Sequence, residues 1–179
     1  MMKIGIPGPR ILVLTFVLAA ARVVAGDLTP EDIAKLKADV TLITEATMAG
    51  DPGPIVRLTH HSLVNLVGGP EKFEEVTRAA LAQLREIDMK MLSSETGEPD
   101  RTWKAGDEEV CFVPRRTVSV IDGKKIRSTT FMVAFRRPGS STWTYIDGAG
   151  LREHPGMLRQ LVPALDPDVR FPENYLEML

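Results

Sequence analysis

The chain has 179 residues, of which 44% are hydrophobic and 26% charged, and its formal net charge is −2. This length predicts one domain with a usable hydrophobic core. A slightly acidic chain without clustered Lys and Arg lacks the electrostatic surface that nucleic-acid binding requires, so we expect no nucleic-acid partner. The single cysteine, Cys111, excludes a disulfide within the chain.

The N-terminal segment predicts a cleavable secretory signal. Lys3 and Arg10 precede an apolar run over residues 11–21, and the small-residue stretch Val24-Ala25-Gly26 follows it. As a helix, the apolar run spans roughly 16 Å, about half of the roughly 30 Å of a bilayer's hydrocarbon core. We therefore expect a signal peptide over residues 1–26, with a short N-terminal anchor as the alternative.

Cleavage after Gly26, or one residue earlier after Ala25, leaves a single domain over residues 27–179. The removed segment contains three basic residues and no acidic one, so the mature chain has 19 basic and 24 acidic residues and a net charge of about −5. We expect this domain to be exported to the periplasm or the extracellular space, with peripheral membrane association or none.

The first part of the mature chain predicts three helices. The first covers residues 30–49, with Thr29 as its N-cap. A short second helix over 55–67 stops at Gly68-Gly69, and Pro70 begins the third. Both long helices have apolar residues at spacings of three and four, which predicts one buried stripe on each. The stripes are Ile33, Leu36, Val40, Ile43 and Ala46 or Thr47 in the first helix, and Phe73, Val76, Ala80, Leu84 and Ile87 in the third.

After the third helix the hydrophobic period changes from helical to alternating, which predicts strands. We expect a first strand over residues 89–94. Residues 95–106 predict a loop or an irregular sheet edge, with Trp103 holding it to the body of the domain.

Asp122-Gly123 predicts a tight hairpin between two long strands, because a type I′ turn needs positive φ at both central residues. The resulting register places Ile121 opposite Lys124, Phe112 opposite Val133 and Val110 opposite Phe135. The opposite face of this hairpin is also apolar, so both faces need cover, and a homodimer through the second face is one way to supply it. That second face carries Cys111, Val113, Met132 and Ala134.

The C-terminal part predicts one more strand and one short helix. A turn at residues 138–140 leads to the strand over 143–147, and the helix covers 157–161. The proline-punctuated tail over 163–179 predicts an extended segment that lies along the body of the domain.

Three helices followed by a meander of long strands predict an α+β domain with helices packed on one face of an antiparallel sheet. The segment Thr59-His60-His61-Ser62-Leu63-Val64-Asn65-Leu66-Val67-Gly68-Gly69-Pro70-Glu71, after the acidic turn Gly50-Asp51, resembles the segment that joins the helices in secreted bacterial members of the nuclear transport factor 2-like superfamily. Trp143-Thr144-Tyr145-Ile146-Asp147-Gly148 resembles the final-strand pattern of the same proteins. The resemblance covers most of the mature chain.

This resemblance implies a cystatin-like α+β roll, in which three N-terminal helices pack on a strongly bent antiparallel sheet and leave a cone-shaped cavity. Members of the superfamily include small enzymes of the ketosteroid isomerase, polyketide cyclase and dehydratase types, as well as binding proteins. The fold therefore does not decide the function. The family segments commonly have His-Pro where this chain has His60-His61, which leaves the role of His61 open.

His60 and His61 are candidates for a general base or for metal ligands. Adjacent residues on a helix point about 100° apart, which disfavours a shared metal ion. The only other histidine is His154, and a zinc site would also need carboxylates because Cys111 is a single thiol. We therefore predict no metal and no cofactor. The structural interpretation of His60, hydrogen bonding within the helix junction, is favoured over a catalytic role.

Asp147, Tyr145 and Trp143 share one face of the last predicted strand, so they could line a cavity with a carboxylate, a phenol and an indole. In that arrangement Asp147 and Tyr145 are candidate catalytic residues for proton transfer. In an apolar pocket, the pKa of the Asp147 carboxyl would rise and the group would serve as a general base near neutral pH. The favoured alternative is that Asp147-Gly148 begins a turn.

For two other groups of residues we favour a structural role over a functional one. Arg115-Arg116 and Arg136-Arg137 are interpreted as charges that discourage edge pairing rather than as an anion site. Cys111 is interpreted as a small buried hydrophobic residue rather than a nucleophile.

Two classes of function remain open. The sequence contains no G-x-x-x-x-G-K-[ST] loop, no G-x-S-x-G motif and no H-E-x-x-H helix, so nothing in it supports nucleotide hydrolysis or hydrolase and metalloprotease chemistry. The preferred hypothesis is a binding or accessory protein that holds a small apolar ligand in a cavity between helices and sheet. The alternative is a small acid–base enzyme of the isomerase, cyclase or dehydratase type. The expected ligand contacts are Trp143, Tyr145, Phe112 and Phe131.

Overall fold

The computed structural model describes residues 26–99, 101–154 and 156–179. The predicted signal peptide lies outside the described residues, except for Gly26. In the part of the chain that the structure describes, no helix combines the length and the apolar character needed to cross a membrane. The architecture is α+β, with several helices and a six-stranded antiparallel sheet, as the order of predicted elements indicated.

Between residues 26 and 89, the structure has four helices: α1 (Pro30–Ala49), α2 (Pro52–Leu58), α3 (His61–Val67) and α4 (Pro70–Glu86). The predicted cap of α1 is confirmed, because the Thr29 hydroxyl accepts a hydrogen bond from the Asp32 backbone N–H while the Asp32 carboxylate accepts one from Thr29. Gly50 ends this helix with a φ of 67°.

The prediction of a single helix over 55–67 is wrong. The backbone is extended at Thr59 and His60, with ψ of 138° at both residues, so α2 and α3 are separate. The cause is a tertiary contact. The His60 backbone N–H donates to the carbonyl oxygen of Tyr145 over 2.9 Å, and Thr59 forms an isolated parallel bridge with the same residue.

The apolar stripe predicted for α4 is only partly correct. Phe73 is buried as expected, but Val76 and Ile87 are 43% and 40% exposed. The other buried residues of this helix are Thr77 and Leu81. The reason is that α4 makes its main contacts with α2 and α3 rather than with the sheet. The buried face of α4 is therefore narrower than the predicted stripe and slightly rotated from it.

The sheet is built around the hairpin of β3 (Glu108–Ile121) and β4 (Lys124–Arg136). Its other strands are β1 (Lys90–Thr96), β2 (Thr102–Ala105), β5 (Thr144–Asp147) and β6 (Tyr175–Met178). Both β1 and β2 pair with β3, while β5 and β6 pair with β4. The segment predicted as an irregular edge thus contains β2, and the tail predicted as merely extended ends in β6.

The predicted hairpin register is confirmed. Ile121 pairs with Lys124, Phe112 with Val133, and Val110 with Phe135. The turn residues Asp122 and Gly123 have φ of 50° and 73°, the positive values that a type I′ turn requires.

Both faces of the central hairpin are covered within the chain. On one face, Cys111, Val113, Met132 and Ala134 are nearly inaccessible beneath α1. The other face packs against the C-terminal segment, which includes a 3₁₀ helix (Gly148–Leu151) and α5 (Met157–Leu161). Its covering side chains are Leu151, Leu158, Val162, Leu165 and Val169.

The position of this cover corrects the expectation that all helices are N-terminal and pack on one face of the sheet. Helices lie on both faces of the sheet and are not all N-terminal, because the chain returns across the sheet after β5. On the second face, α1 of the same chain buries the four side chains that needed cover. A homodimer is therefore not required to cover them, and its existence stays a prediction.

Candidate functional site

His60 lies at the junction between α2 and α3, directly beside the sheet. It is the N-cap residue of α3, and only 2% of it is exposed. Its ring stacks on Phe135 of β4 with ring centroids 4.0 Å apart. Together with the backbone bond to Tyr145 of β5, this stacking holds the imidazole in one position against the sheet.

Both ring nitrogens of His60 have polar partners. Nδ1 lies 2.7 Å from the Ser62 hydroxyl oxygen and accepts a hydrogen bond from the Ser62 backbone N–H over 3.3 Å. Nε2 lies 3.1 Å from a carboxylate oxygen of Glu108, the first residue of β3. Since Nδ1 accepts the capping bond, Nε2 carries the proton and donates it to Glu108.

Burial lowers the pKa of His60 below its ordinary value, and the neighbouring His61 acts in the same direction. The Glu108 carboxylate opposes this effect but does not overcome it. The pKa shift therefore favours the neutral imidazole, in agreement with the single proton on Nε2.

His61 lies beside His60, with ring centroids 4.1 Å apart, and its side chain is exposed. One ligand atom from each of His60, His61 and Glu108 falls within 4.8 Å of the others. The expectation that the two histidines diverge was wrong in its premise, because His60 has extended rather than helical backbone angles. Sequence analysis missed Glu108, which carries no local signal.

Asp147 occupies a turn. Its side chain is 44% exposed and pairs with the Arg115 guanidinium over 2.8 Å. The same carboxylate accepts a hydrogen bond from the Ala149 backbone N–H and caps the 3₁₀ helix that follows β5. This is the geometry of the turn interpretation, and Asp147 lines neither of the two cavities described below.

Tyr145 is a core residue. Its hydroxyl donates to a carboxylate oxygen of Asp39 in α1 over 2.9 Å, and both residues are buried where α1 packs on the sheet. Burial, and then the Asp39 carboxylate, raise the pKa of Tyr145 far above its ordinary value, so the phenol remains protonated. The other carboxylate oxygen of Asp39 pairs with Lys35. Sequence analysis missed Asp39 because it lies within the otherwise apolar face of α1.

The other predicted ligand contacts are also packed in the core. Trp143 is 1% exposed, and the Arg136 guanidinium lies over its ring at 4.4 Å. Phe112 and Phe131 meet edge to face at 5.5 Å on the opposite side of the sheet. Of the four predicted contacts, Phe131 lines a small cavity of about 220 Å³, which it shares with Leu151, Arg152, Phe171, Pro172 and Asn174.

A larger groove of about 940 Å³ opens between α1 and β1. Its exposed apolar side chains include Leu42, Met48 and Leu92, which are 37%, 38% and 56% exposed. Leu92 lies at a register shift in β1, between Met91 and Ser93. Polar side chains also line the groove: Lys37, Thr41, Thr44, Glu45, Ser93, Ser94 and Thr96.

No protein-family model matches this chain, and neither a curated protein nor a solved structure matches it. The resemblance to the nuclear transport factor 2-like superfamily is therefore still a prediction.

The paired arginines have different environments within each pair. Arg115 pairs with Asp147, and Arg136 pairs with Glu109 over 2.8 Å and also with Asp32. These carboxylates compensate the two guanidinium charges. Arg116 and Arg137, the second members of each pair, are exposed.

Proposed function

We propose that this chain is an exported binding protein that holds a small apolar molecule in the groove between α1 and β1. The observation that carries the proposal is the groove itself. Its volume of about 940 Å³ falls at the upper end of the range of roughly 300–1,000 Å³ typical of small-molecule sites. Leu42, Met48 and Leu92 expose apolar surface there, which water hydrates unfavourably and an apolar ligand would cover.

The lining also defines the polarity of the ligand. Apolar side chains accept a hydrocarbon body, while Lys37 and the hydroxyls of Ser93 and Ser94 offer hydrogen bonds to a polar end. Lys37 pairs with Glu98, and its side chain is 38% exposed, so its ammonium group stays hydrated and accessible. We expect a small molecule that is mostly apolar with one polar or acidic group.

The assignment of the α+β domain to the cystatin-like roll is part of this proposal. A cystatin-like roll with a ligand cavity between helices and sheet is supported by the order of the elements, with helices first and an antiparallel sheet after them. It is also supported by the long helix α1, which lies across one face of the sheet. The interior beneath α1 is filled by Tyr145 and Trp143, so the proposed site lies at the side of α1 rather than beneath it.

Export rests on the charged start, the short apolar run and the small residues before Asp27. Intact-mass analysis of the protein from its own host should show a new N-terminus at Asp27 or Gly26. An uncleaved chain recovered from the membrane fraction would contradict export.

The groove is tested with a fluorescent apolar probe, 1-anilinonaphthalene-8-sulfonate, whose emission rises in apolar sites. The groove variant is Leu92→Gln and the matched control is Leu66→Gln, since Leu66 is 63% exposed on α3 and lies outside the groove. We expect the wild type and the control to bind the probe with the same affinity and Leu92→Gln to bind it at least tenfold more weakly. Equal binding by all three proteins would refute the proposal.

The acid–base enzyme remains the second candidate, and the contact between His60 and Glu108 is the observation that favours it. It ranks below binding because both nitrogens of His60 already have partners, so none is available to a substrate. Any turnover found by substrate screening should disappear in Glu108→Gln if this dyad performs the chemistry. Turnover that survives this change would exclude the dyad.

A further inference from the structure

We propose that His60, His61 and Glu108 form a binding site for one zinc ion. The site is separate from the groove between α1 and β1, since none of the three residues lines it. The proposal rests on three potential ligand atoms from different backbone positions that fall within 4.8 Å of one another.

The geometry is close to what zinc requires. Zinc binds histidine nitrogen and carboxylate oxygen at about 2.0–2.2 Å, so two ligand atoms of a tetrahedral site lie roughly 3.3–3.4 Å apart. His60 Nε2 and the Glu108 carboxylate oxygen are 3.1 Å apart. The third ligand is the exposed His61, which has a ring nitrogen within 4.8 Å of the other two ligand atoms.

The three ligand atoms favour a divalent cation that binds both nitrogen and oxygen. Imidazole nitrogen suits zinc and the neighbouring transition metals, whereas magnesium and calcium prefer sites made of oxygen alone. Two neutral imidazoles and one carboxylate supply a single negative charge, which compensates part of the charge of the ion. Two histidines and one glutamate leave the fourth position of zinc open for water.

Surrounding groups orient the buried ligand. The stacking contact with Phe135 and the backbone bond to Tyr145 already hold the His60 ring in place. Coordination through Nε2 requires the tautomer of His60 with the proton on Nδ1. That Nδ1–H donates to the Ser62 hydroxyl at 2.7 Å, and Nδ1 gives up the capping bond it accepts from the Ser62 backbone N–H. Ser62 is therefore a positioning residue, and its hydroxyl reverses from donor to acceptor when the ion binds.

The ion has a path to the site. The His60 side chain is 3% exposed, but the Glu108 carboxylate beside it is 19% exposed and His61 lies at the surface. The side of His60 that faces His61 and Glu108 is therefore the one from which zinc would approach.

The test uses the protein without a polyhistidine tag, stripped of metal with a chelator. Zinc chloride is titrated by isothermal calorimetry, and cobalt chloride serves as a spectroscopic substitute because its visible absorption reports the coordination. We expect one ion per chain. His61→Gln and Glu108→Gln should each weaken zinc binding by more than about tenfold, the smallest effect typical for loss of even a supporting group. His154→Gln, which alters the third histidine of the chain, is the matched control and should bind as the wild type does.

The variants at His61 and Glu108 remove exposed or partly exposed groups, and circular dichroism of the metal-free proteins checks that they fold. Ser62→Ala should weaken zinc binding about 10- to 100-fold, and Ser62→Thr, which keeps the hydroxyl, should restore it. Absence of zinc binding by the folded wild type would overturn the proposal. So would undiminished binding in His61→Gln and Glu108→Gln. Leu92→Gln should leave zinc binding unchanged, so failure of the groove proposal is distinguishable from failure of this one.

Discussion

The buried hydrogen bond between Tyr145 and Asp39 offers a sharp test of how α1 is held on the sheet. Tyr145→Phe removes one oxygen atom and leaves the ring in place. The Asp39 carboxylate oxygen that accepts this bond at 2.9 Å is then buried without its donor, since Asp39 is only 5% exposed. The pairing of Asp39 with Lys35 involves the other oxygen and lies toward solvent, so it does not replace the lost bond.

A hydrogen bond to a charged group contributes about 1.5–3 kcal/mol to the free energy of unfolding. We expect Tyr145→Phe to lose an amount in this range. For a domain of this size, the melting temperature falls by about 2–4 °C for each kcal/mol. Urea unfolding followed by circular dichroism measures the change, and the denaturant slope should stay constant because the surface exposed on unfolding is the same.

The control is the other tyrosine of the chain. Tyr175 is 44% exposed on β6, and Tyr175→Phe should change stability by less than about 0.5 kcal/mol. A loss in Tyr145→Phe no greater than that in Tyr175→Phe would refute the reasoning. A double-mutant cycle with Asp39→Asn should give a coupling energy between the two sites of about 0.5–3 kcal/mol.

The raised pKa of Tyr145 adds a dependence on pH. A group whose pKa is higher in the folded state contributes stability that is present below its unfolded pKa of about 10 and is lost as pH rises further. The wild type should therefore lose more stability than Tyr145→Phe above this pH.

Three further changes test the turn, the core and the histidine. Gly123→Val should lower the free energy of unfolding by about 1–2 kcal/mol, because φ is 73° at this position and a β-branched residue resists positive φ. Thermal melting measures this change. Gly123→Asn should destabilise the protein less. Phe112→Ala should lower the free energy of unfolding in urea by about 3–5 kcal/mol, because Phe112 is buried. Leu66→Ala, at an exposed site, should lower it far less. A decrease below about 1 kcal/mol for Phe112→Ala would contradict the packing. Burial lowers the pKa of His60, so stability should fall as pH drops below about 6.5, its unfolded value, and His60→Gln should reduce this dependence. A His60→Gln variant with the same pH profile as the wild type would contradict that shift.

Local features were predictable from sequence. The cap at Thr29 depends on a residue three positions away, and the turn at Asp122-Gly123 depends on two adjacent residues. Once that turn is placed, the alternation of a strand determines every cross-strand pair of β3 and β4. The alternation of apolar side chains also showed that both faces of the sheet had to be buried. It did not identify the segments that bury them.

The candidate sites depended on contacts between residues distant in sequence. His60 and Glu108 are 48 positions apart, and Tyr145 and Asp39 are 106 apart. An apolar period of 3.6 shows that a helix has a buried side but not which element covers it, as the rotated stripe of α4 illustrates. The backbone bond from His60 to Tyr145 interrupts a segment whose local pattern favours one helix, and thereby places His60 next to His61 and Glu108. Local propensity is weak compared with such tertiary bonds and with burial, so only the folded chain decided which side chains meet.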